Sequence, residues 1–264
     1  MTKIEWCDEV WNPVTGCTKV SQGCKHCYAE RMAVRLAGRF GYPPAPNQFK
    51  VTLHPELLDK PLRWKRPRRV FVNSMSDLFH EDVPDLFIYN IFSRMAQLPQ
   101  HKFLVLTKRP DRMLEFCSMI QYITVLELPH LQAPNCSLSM NPLKDPIPLP
   151  NVWLGVSVED QKTANERIRW LIKTPAAKRF VSCEPLLAPL DLPMIYNHMI
   201  DWVIVGGESG PGARPMEIEW AKWIVKQGQM ANVPVFVKQL GGFSDKRNRM
   251  GDWPEVLRIR EWPE

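Results

Sequence analysis

Val152-Trp-Leu-Gly-Val-Ser-Val-Glu159, Arg179-Phe-Val-Ser-Cys-Glu184 and Trp202-Val-Ile-Val-Gly-Gly-Glu208 share one pattern: a short apolar run, a small residue, then a glutamate. The glutamates stand 25 and 24 residues apart, the length of one strand plus one helix with its turns. Continuous apolar runs of this length suit strands buried on both faces, as in parallel sheets. Three further runs extend the series: Val70-Phe-Val-Asn-Ser74, Phe103-Leu-Val-Leu-Thr-Lys108 and Val233-Pro-Val-Phe-Val-Lys-Gln239, with an extended segment in 4–14 ahead of them. Helical patterns occupy 84–98, 161–172 and 217–230. Seven or so such units predict an α/β fold, a partial or complete parallel (β/α) barrel of the TIM type, with a doubly wound open sheet as the competing topology.

Composition agrees with a globular protein. Of 264 residues, 45% are apolar and 23% charged, and no stretch approaches 18 consecutive apolar residues, so no membrane partner is expected. A single barrel domain can absorb residues 1–264. The amino terminus lacks the apolar run of a secretory signal, which leads to the expectation of a cytoplasmic protein whose thiols stay reduced. The net charge of +6 is compatible with an anionic partner without demanding one. Proline is the outlier: 25 residues, about twice the ordinary share. Six of them fall between Pro129 and Pro150, so the stretch 117–150 is expected to be an insertion, either a lid-like excursion or a surface connection.

In a parallel barrel the strand ends share one rim, where active sites are built. Here they carry Ser74 and Asp77, Thr107 and Lys108, Ser157 and Glu159, Ser182 and Glu184, Gly206 to Glu208, and Lys238 with Gln239. Six polar strand ends, three with matched glutamates, favour a ligand site. Gly206 and Gly207 let a ligand approach the backbone or make a tight turn. Gly207-Glu-Ser-Gly-Pro211 lacks the last glycine of a nucleophile elbow, and the glycines at 206–212 lack dinucleotide-fingerprint order. A metal-dependent hydrolase using the glutamates is weakened by the absence of H-x-H or H-E-x-x-H spacing among six histidines.

Three of seven cysteines fall in the loop 16–28, as Cys17, Cys24 and Cys27, spaced C-x6-C-x2-C. Thiols two residues apart can grip one metal centre from a single turn. A structural zinc wants a fourth ligand, from His26 or Cys7. An iron–sulfur cluster on three cysteines keeps one iron open for chemistry. Three unligated thiols are the least favoured alternative. Cys7, Cys117, Cys136 and Cys183 are read singly, as small buried hydrophobes.

A three-cysteine loop followed by β/α units with glycine and glutamate at strand ends resembles the radical S-adenosylmethionine (SAM) superfamily. There the usual spacing is C-x3-C-x2-C; Cys24-Lys-His-Cys27 fits its second half, and the first gap here is six. More closely, the chain resembles an uncharacterised three-cysteine-motif family of bacteriophage and bacterial proteins. The resemblance rests on Trp11-Asn-Pro-Val-Thr-Gly-Cys17, Cys27-Tyr-Ala-Glu30, Phe71-Val-Asn-Ser-Met-Ser-Asp77, Leu106-Thr-Lys-Arg-Pro110, Trp153-Leu-Gly-Val-Ser157, Glu184-Pro-Leu-Leu187, Gly206-Gly-Glu-Ser-Gly210 and Lys238-Gln239. It implies a link to mobile elements and an accompanying partner protein. The superfamily resemblance implies a [4Fe–4S] cluster on Cys17, Cys24 and Cys27, and reductive cleavage of SAM to a radical that abstracts substrate hydrogen. By the same analogy, Ser74, Asp77, Ser157, Glu159, Ser182, Glu184, Gly206, Gly207 and Glu208 would hold SAM, and Lys108, Arg214 and Lys238 an anionic substrate.

A different function class stays open, a zinc-stabilised protein that binds nucleic acid or a partner without redox chemistry. Its sequence support is the basic run Arg63-Trp64-Lys65-Arg66-Pro-Arg68-Arg69, where cations would neutralise phosphates and Trp64 would stack on a base. A second basic patch is Lys246-Arg-Asn-Arg249. Solvated basic faces are common, and that plainer interpretation of both runs is the stronger one.

Overall fold

The computed structural model describes residues 4–122, 147–242 and 249–264. It is a mixed α/β chain. Seven parallel strands form one sheet: β1 (Glu9–Trp11), β4 (Arg69–Val72), β5 (Lys102–Thr107), β6 (Val152–Ser157), β7 (Lys178–Cys183), β8 (Trp202–Gly206) and β9 (Val235–Gln239), in that order. A short antiparallel pair, β2 (Val14–Thr15) with β3 (Thr52–Leu53), stands apart. The order never reverses, as it does in a doubly wound sheet, and it runs from β1 to β9 without closing. Of the expected topologies, the partial parallel barrel is the one observed. The six strands predicted from apolar runs each lie within two residues of their run, because each is an apolar stretch with no competing helical period, whereas of the segment expected at 4–14 only the short β1 joins the sheet.

The chain divides into two compact units, one of whose boundaries falls inside β6. One is Met1–Thr18 with Ala29–Leu154 and Lys173–Ala177; the other is Lys19–Tyr28 with Gly155–Ile172 and Lys178–Glu264. In the first, β4 pairs with β1 (Val70 opposite Glu9) and with β5 (Val70 opposite Phe103). The helix α2 (Asp85–Ala96) buries Leu86, Phe87, Ile88, Ile91, Phe92 and Met95 and is apolar on most of its circumference. Helix α3 (Pro110–Tyr122) starts at a proline, whose fixed φ suits a first turn. It corrects the boundary of the expected insertion: Cys117 is fully buried on this helix, and residues 117–122 contain no proline, so the helix continues to at least 122. The rest of that insertion, 123–146, lies outside the described residues, and the chain returns with Ile147 and Leu149 buried.

In the second unit, β8 pairs with β7 and β9, and every residue of Trp202–Gly206 is buried. Helix α4 (Gln161–Leu171) is opened by a capping box in which Asp160 accepts from the Thr163 amide, which fixes where β6 hands over to the helix. Helix α5 (Ile218–Ala231) ends on Asn232 in the left-handed region, φ 54°, a residue type that tolerates such a stop. Among the described residues, no helix is long and apolar enough to cross a membrane.

Candidate functional site

The carboxyl ends of the strands carry the polar groups expected of them, but most are already joined to partners. At the end of β4, Asn12 accepts from the Ser74 hydroxyl and the Met75 amide. Asp77, 6% exposed, accepts from the Thr107 hydroxyl at 2.7 Å, the Lys108 amide at 2.9 Å and Arg109 Nη1 at 3.3 Å. Lys108 thus contributes its backbone to this cluster. Arg109 continues outward, donating to Cys17 Sγ at 3.6 Å, to Thr18 Oγ1 at 2.7 Å and to Glu81 at 3.0 Å. Burial works against the Arg109 charge, yet Asp77, Cys17 and Glu81 outweigh it and raise its pKa. His80 is fully enclosed and its pKa is lowered, first by burial and then by Arg109. Its Nδ1 accepts from the Asp82 amide, so Nε2 carries the proton and donates to Thr18 Oγ1 at 2.8 Å.

In the second unit, Lys19–Tyr28 forms an arm bearing Cys24 and Cys27. It contains one short 3-10 turn, Gln22–Cys24, after which the chain enters helix α1 (Tyr28–Leu36). Two of the three matched glutamates meet this arm. Glu159, at the end of β6 and fully buried, accepts from Arg167 Nη1 at 3.1 Å on each oxygen and from Ser21 Oγ at 2.9 Å. Glu208, beyond β8, accepts from His26 Nδ1 at 2.9 Å and from Arg214: Nη2 at 2.6 Å, Nε at 3.0 Å and the backbone amide at 2.8 Å. Burial pushes the Glu208 pKa up, but the Arg214 and His26 hydrogen bonds prevail and hold it at about 2. Arg214 also donates to the Gln22 carbonyl at 3.0 Å.

The third glutamate is different. Glu184 pairs with Lys238 at 2.9 Å and accepts from Ser182 at 3.3 Å, and its backbone carbonyl accepts from the Ser157 hydroxyl. It lies across Gly206, where a Cβ would overlap its carboxylate. Gly207 packs as closely on the backbone of Leu240 and Gly241, so both glycines serve close approach within the chain. Arg214 and Lys238, expected to meet an anionic substrate, are thus each ion-paired to a glutamate.

The cysteines fall into two classes. Cys17, Cys24 and Cys27 are half-buried. Cys7, Cys117 and Cys183 are buried, as expected, and burial pushes the Cys117 thiol up to about 12 and the Cys183 thiol higher still. Cys136 and residues 246–248 of the second basic patch lie outside the described residues. Among the described residues, no three His, Cys, Asp or Glu side chains are gathered as a ready metal cage. The donors nevertheless suit thiolate ligation: they are accessible soft sulfurs, one beside a guanidinium, whereas the other described cysteines are buried.

In the basic run, Arg63, Lys65 and Arg66 are exposed. Arg69 pairs with Asp8 at 2.9 Å and Arg68 with Glu9 at 3.7 Å. The Trp64 ring is half-buried, with Arg68 over it at 5.6 Å and His101 edge-on at 5.7 Å.

A family model described as Protein of unknown function (DUF5131) matches residues 1–258. The chain belongs to the DUF5131 family. No curated protein and no solved structure matches it. Membership accounts for nearly the whole length of this DUF5131 protein, so both units and the arm are family territory and not additions to it. Sequence reasoning missed Arg109, Arg167, Ser21 and Thr18. Arg109 directly follows the strand-end Lys108, a place to look for a rim cation. Arg167 lies eight residues past Glu159, two turns into α4, a spacing that returns a helix face to its starting strand.

Proposed function

We propose that this DUF5131 protein is an iron–sulfur enzyme of radical SAM type, with Cys17, Cys24 and Cys27 holding a [4Fe–4S] cluster. The observation that carries the proposal is the division of the cysteines: three accessible sulfurs within eleven residues, one hydrogen-bonded by Arg109, against buried and inert thiols elsewhere among the described residues. A cluster with one open iron supplies SAM chelation and one-electron reductive cleavage. The chain's own part is to hold and orient. Ser74 and Asp77 in the first unit, and Ser157, Ser182, Glu184 and the Gly206–Gly207 backbone in the second, are the groups proposed to contact SAM. Lys108 is proposed to face an anionic substrate, a nucleotide or a nucleic acid, which share the phosphate chemistry a lysine recognises.

The test is anaerobic purification with iron, sulfide and zinc analysis, followed by reduction and SAM addition. About four irons and four sulfides per chain, with 5′-deoxyadenosine released, is the expected result. Cys17→Ala, Cys24→Ala and Cys27→Ala each abolish cluster binding, whereas Cys117→Ala leaves iron content unchanged. One zinc per chain without sulfide or SAM cleavage would replace this function by the zinc-stabilised binding protein. Nucleic-acid affinity and its salt dependence through Arg63, Lys65 and Arg66 would then be measured.

A further inference from the structure

Two residues of the first gap of C-x6-C-x2-C belong to a strap that continues into the second. Ser21 donates to Glu159, the Gln22 carbonyl accepts from Arg214, and His26, in the second gap, donates to Glu208, so three residues between 21 and 26 are tied to the segments that follow β6 and β8. Between them sits Gly23. A Cβ there would overlap Oε1, Cγ and Cδ of Glu159, and Glu159 is fully enclosed with Arg167 on both oxygens, so it has nowhere to move. The arm can therefore dock on Glu159 only because position 23 has no side chain.

Donor counting separates the three glutamates. An ionised carboxylate offers about four acceptor sites. Glu208 already receives four donors, from His26 and three groups of Arg214. Glu159 receives at least three contacts, with no exposure to solvent. Glu184 receives Lys238 and Ser182, and its carboxylate keeps acceptor capacity. A buried ion pair such as Glu159–Arg167 contributes little net stability over apolar packing, so its yield is geometry.

We infer that Glu159 and Glu208 are positioning residues that fasten the arm and so fix where Cys24 and Cys27 are presented, leaving Glu184 as the matched glutamate with capacity for a ligand. This rests on the metal-binding role proposed for those cysteines, while the fastening can be measured without any metal.

The experiment compares the full-length wild type with Gly23→Ala, Glu208→Gln, Ser21→Ala, Ser21→Thr and Glu184→Gln. Amide hydrogen exchange over 19–28 is read on metal-free chains, and thiolate-to-metal absorption on addition of Co(II) alone. Gly23→Ala, Glu208→Gln and Ser21→Ala speed exchange of the arm by at least about tenfold and weaken the cobalt–thiolate band. Ser21→Thr, which keeps the hydroxyl, restores both, and Glu184→Gln changes neither. Arm exchange that is unchanged in the first three variants, or equally raised by Glu184→Gln, overturns the inference. If wild type shows no cobalt–thiolate band but its arm responds as described, the fastening stands and the metal-centre proposal falls.

Discussion

At the end of β4, the carboxylate of Asp77 reaches a cysteine only through an intermediary, Arg109, which bridges it to Cys17. At the ends of β6 and β8, Glu159 and Glu208 bind the cysteine arm directly, gripping Ser21 and His26. The same sequence feature, an acid just past an apolar strand, thus does two jobs. One sets the electrostatics beside a thiol; the other sets where a loop lies. The difference follows from what is buried with each acid. Arg167 is enclosed with Glu159, so that pair is an internal fixture, whereas Arg109 reaches the exposed Thr18 and Glu81.

The comparison breaks most visibly if the internal fixture is unmade. Arg167→Ala leaves the Glu159 carboxylate buried without its cation, and is expected to cost about 3–5 kcal/mol in denaturant unfolding. Arg167→Met with Glu159→Gln together should recover a large part of that loss. A single variant that costs no more than removal of the surface partner Asp59 from Arg94 would show that Glu159 gains water once unpaired, and its role as a fixture would be lost.

Acid sharpens the same contrast at Glu208. Its pKa in the folded protein, about 2, lies below the 4.5 of an unconstrained glutamate. The stabilisation is therefore fully present above pH 4.5 and is lost as pH falls toward 2. Its size is about 3 kcal/mol. Glu208→Gln should be less stable than wild type at pH 7, and the gap should narrow progressively between pH 5 and 3. Parallel stability curves for the two proteins across that range would mean the carboxylate is not held by Arg214 and His26.

How far these roles were legible in the sequence depends on the kind of contact. The strands Val152–Ser157 and Trp202–Gly206 were legible because burial on both faces leaves an uninterrupted apolar run. The glutamates were legible as a set because the β/α repeat spaces them evenly. Their division of labour was not, since it is decided by residues remote in sequence: Ser21 meets Glu159 across 138 positions and His26 meets Glu208 across 182. The end of helix α3 hid beside the proline-rich stretch that follows it, its period visible only once Cys117 is placed facing inward. Trp64 reads as a stacking platform from its basic neighbours, and Arg68 does lie over its ring, but the His101 that meets it edge-on is on another segment.

The smallest expected effect tests the Arg109 side of the comparison. Two of the contacts of Cys17 Sγ are of opposite kind: it donates to the Thr18 carbonyl at 3.3 Å, which only a thiol can do, and accepts from Arg109 at 3.6 Å, which favours a thiolate. Arg109→Met keeps the bulk and removes the guanidinium, so the balance moves toward the thiol. Since the thiolate is the nucleophile, alkylation of Cys17 in the metal-free chain at neutral pH should slow by about threefold to tenfold. Cys24 and Cys27, on the arm held by Glu159 and Glu208, serve as internal standards in the same mass-spectrometric experiment and should keep their rates. Faster alkylation of Cys17 would mean that Arg109 shields the sulfur more than it activates it. Slowing at all three would mean that the two strand-end systems are one, and the contrast between setting charge and setting position would have to be given up.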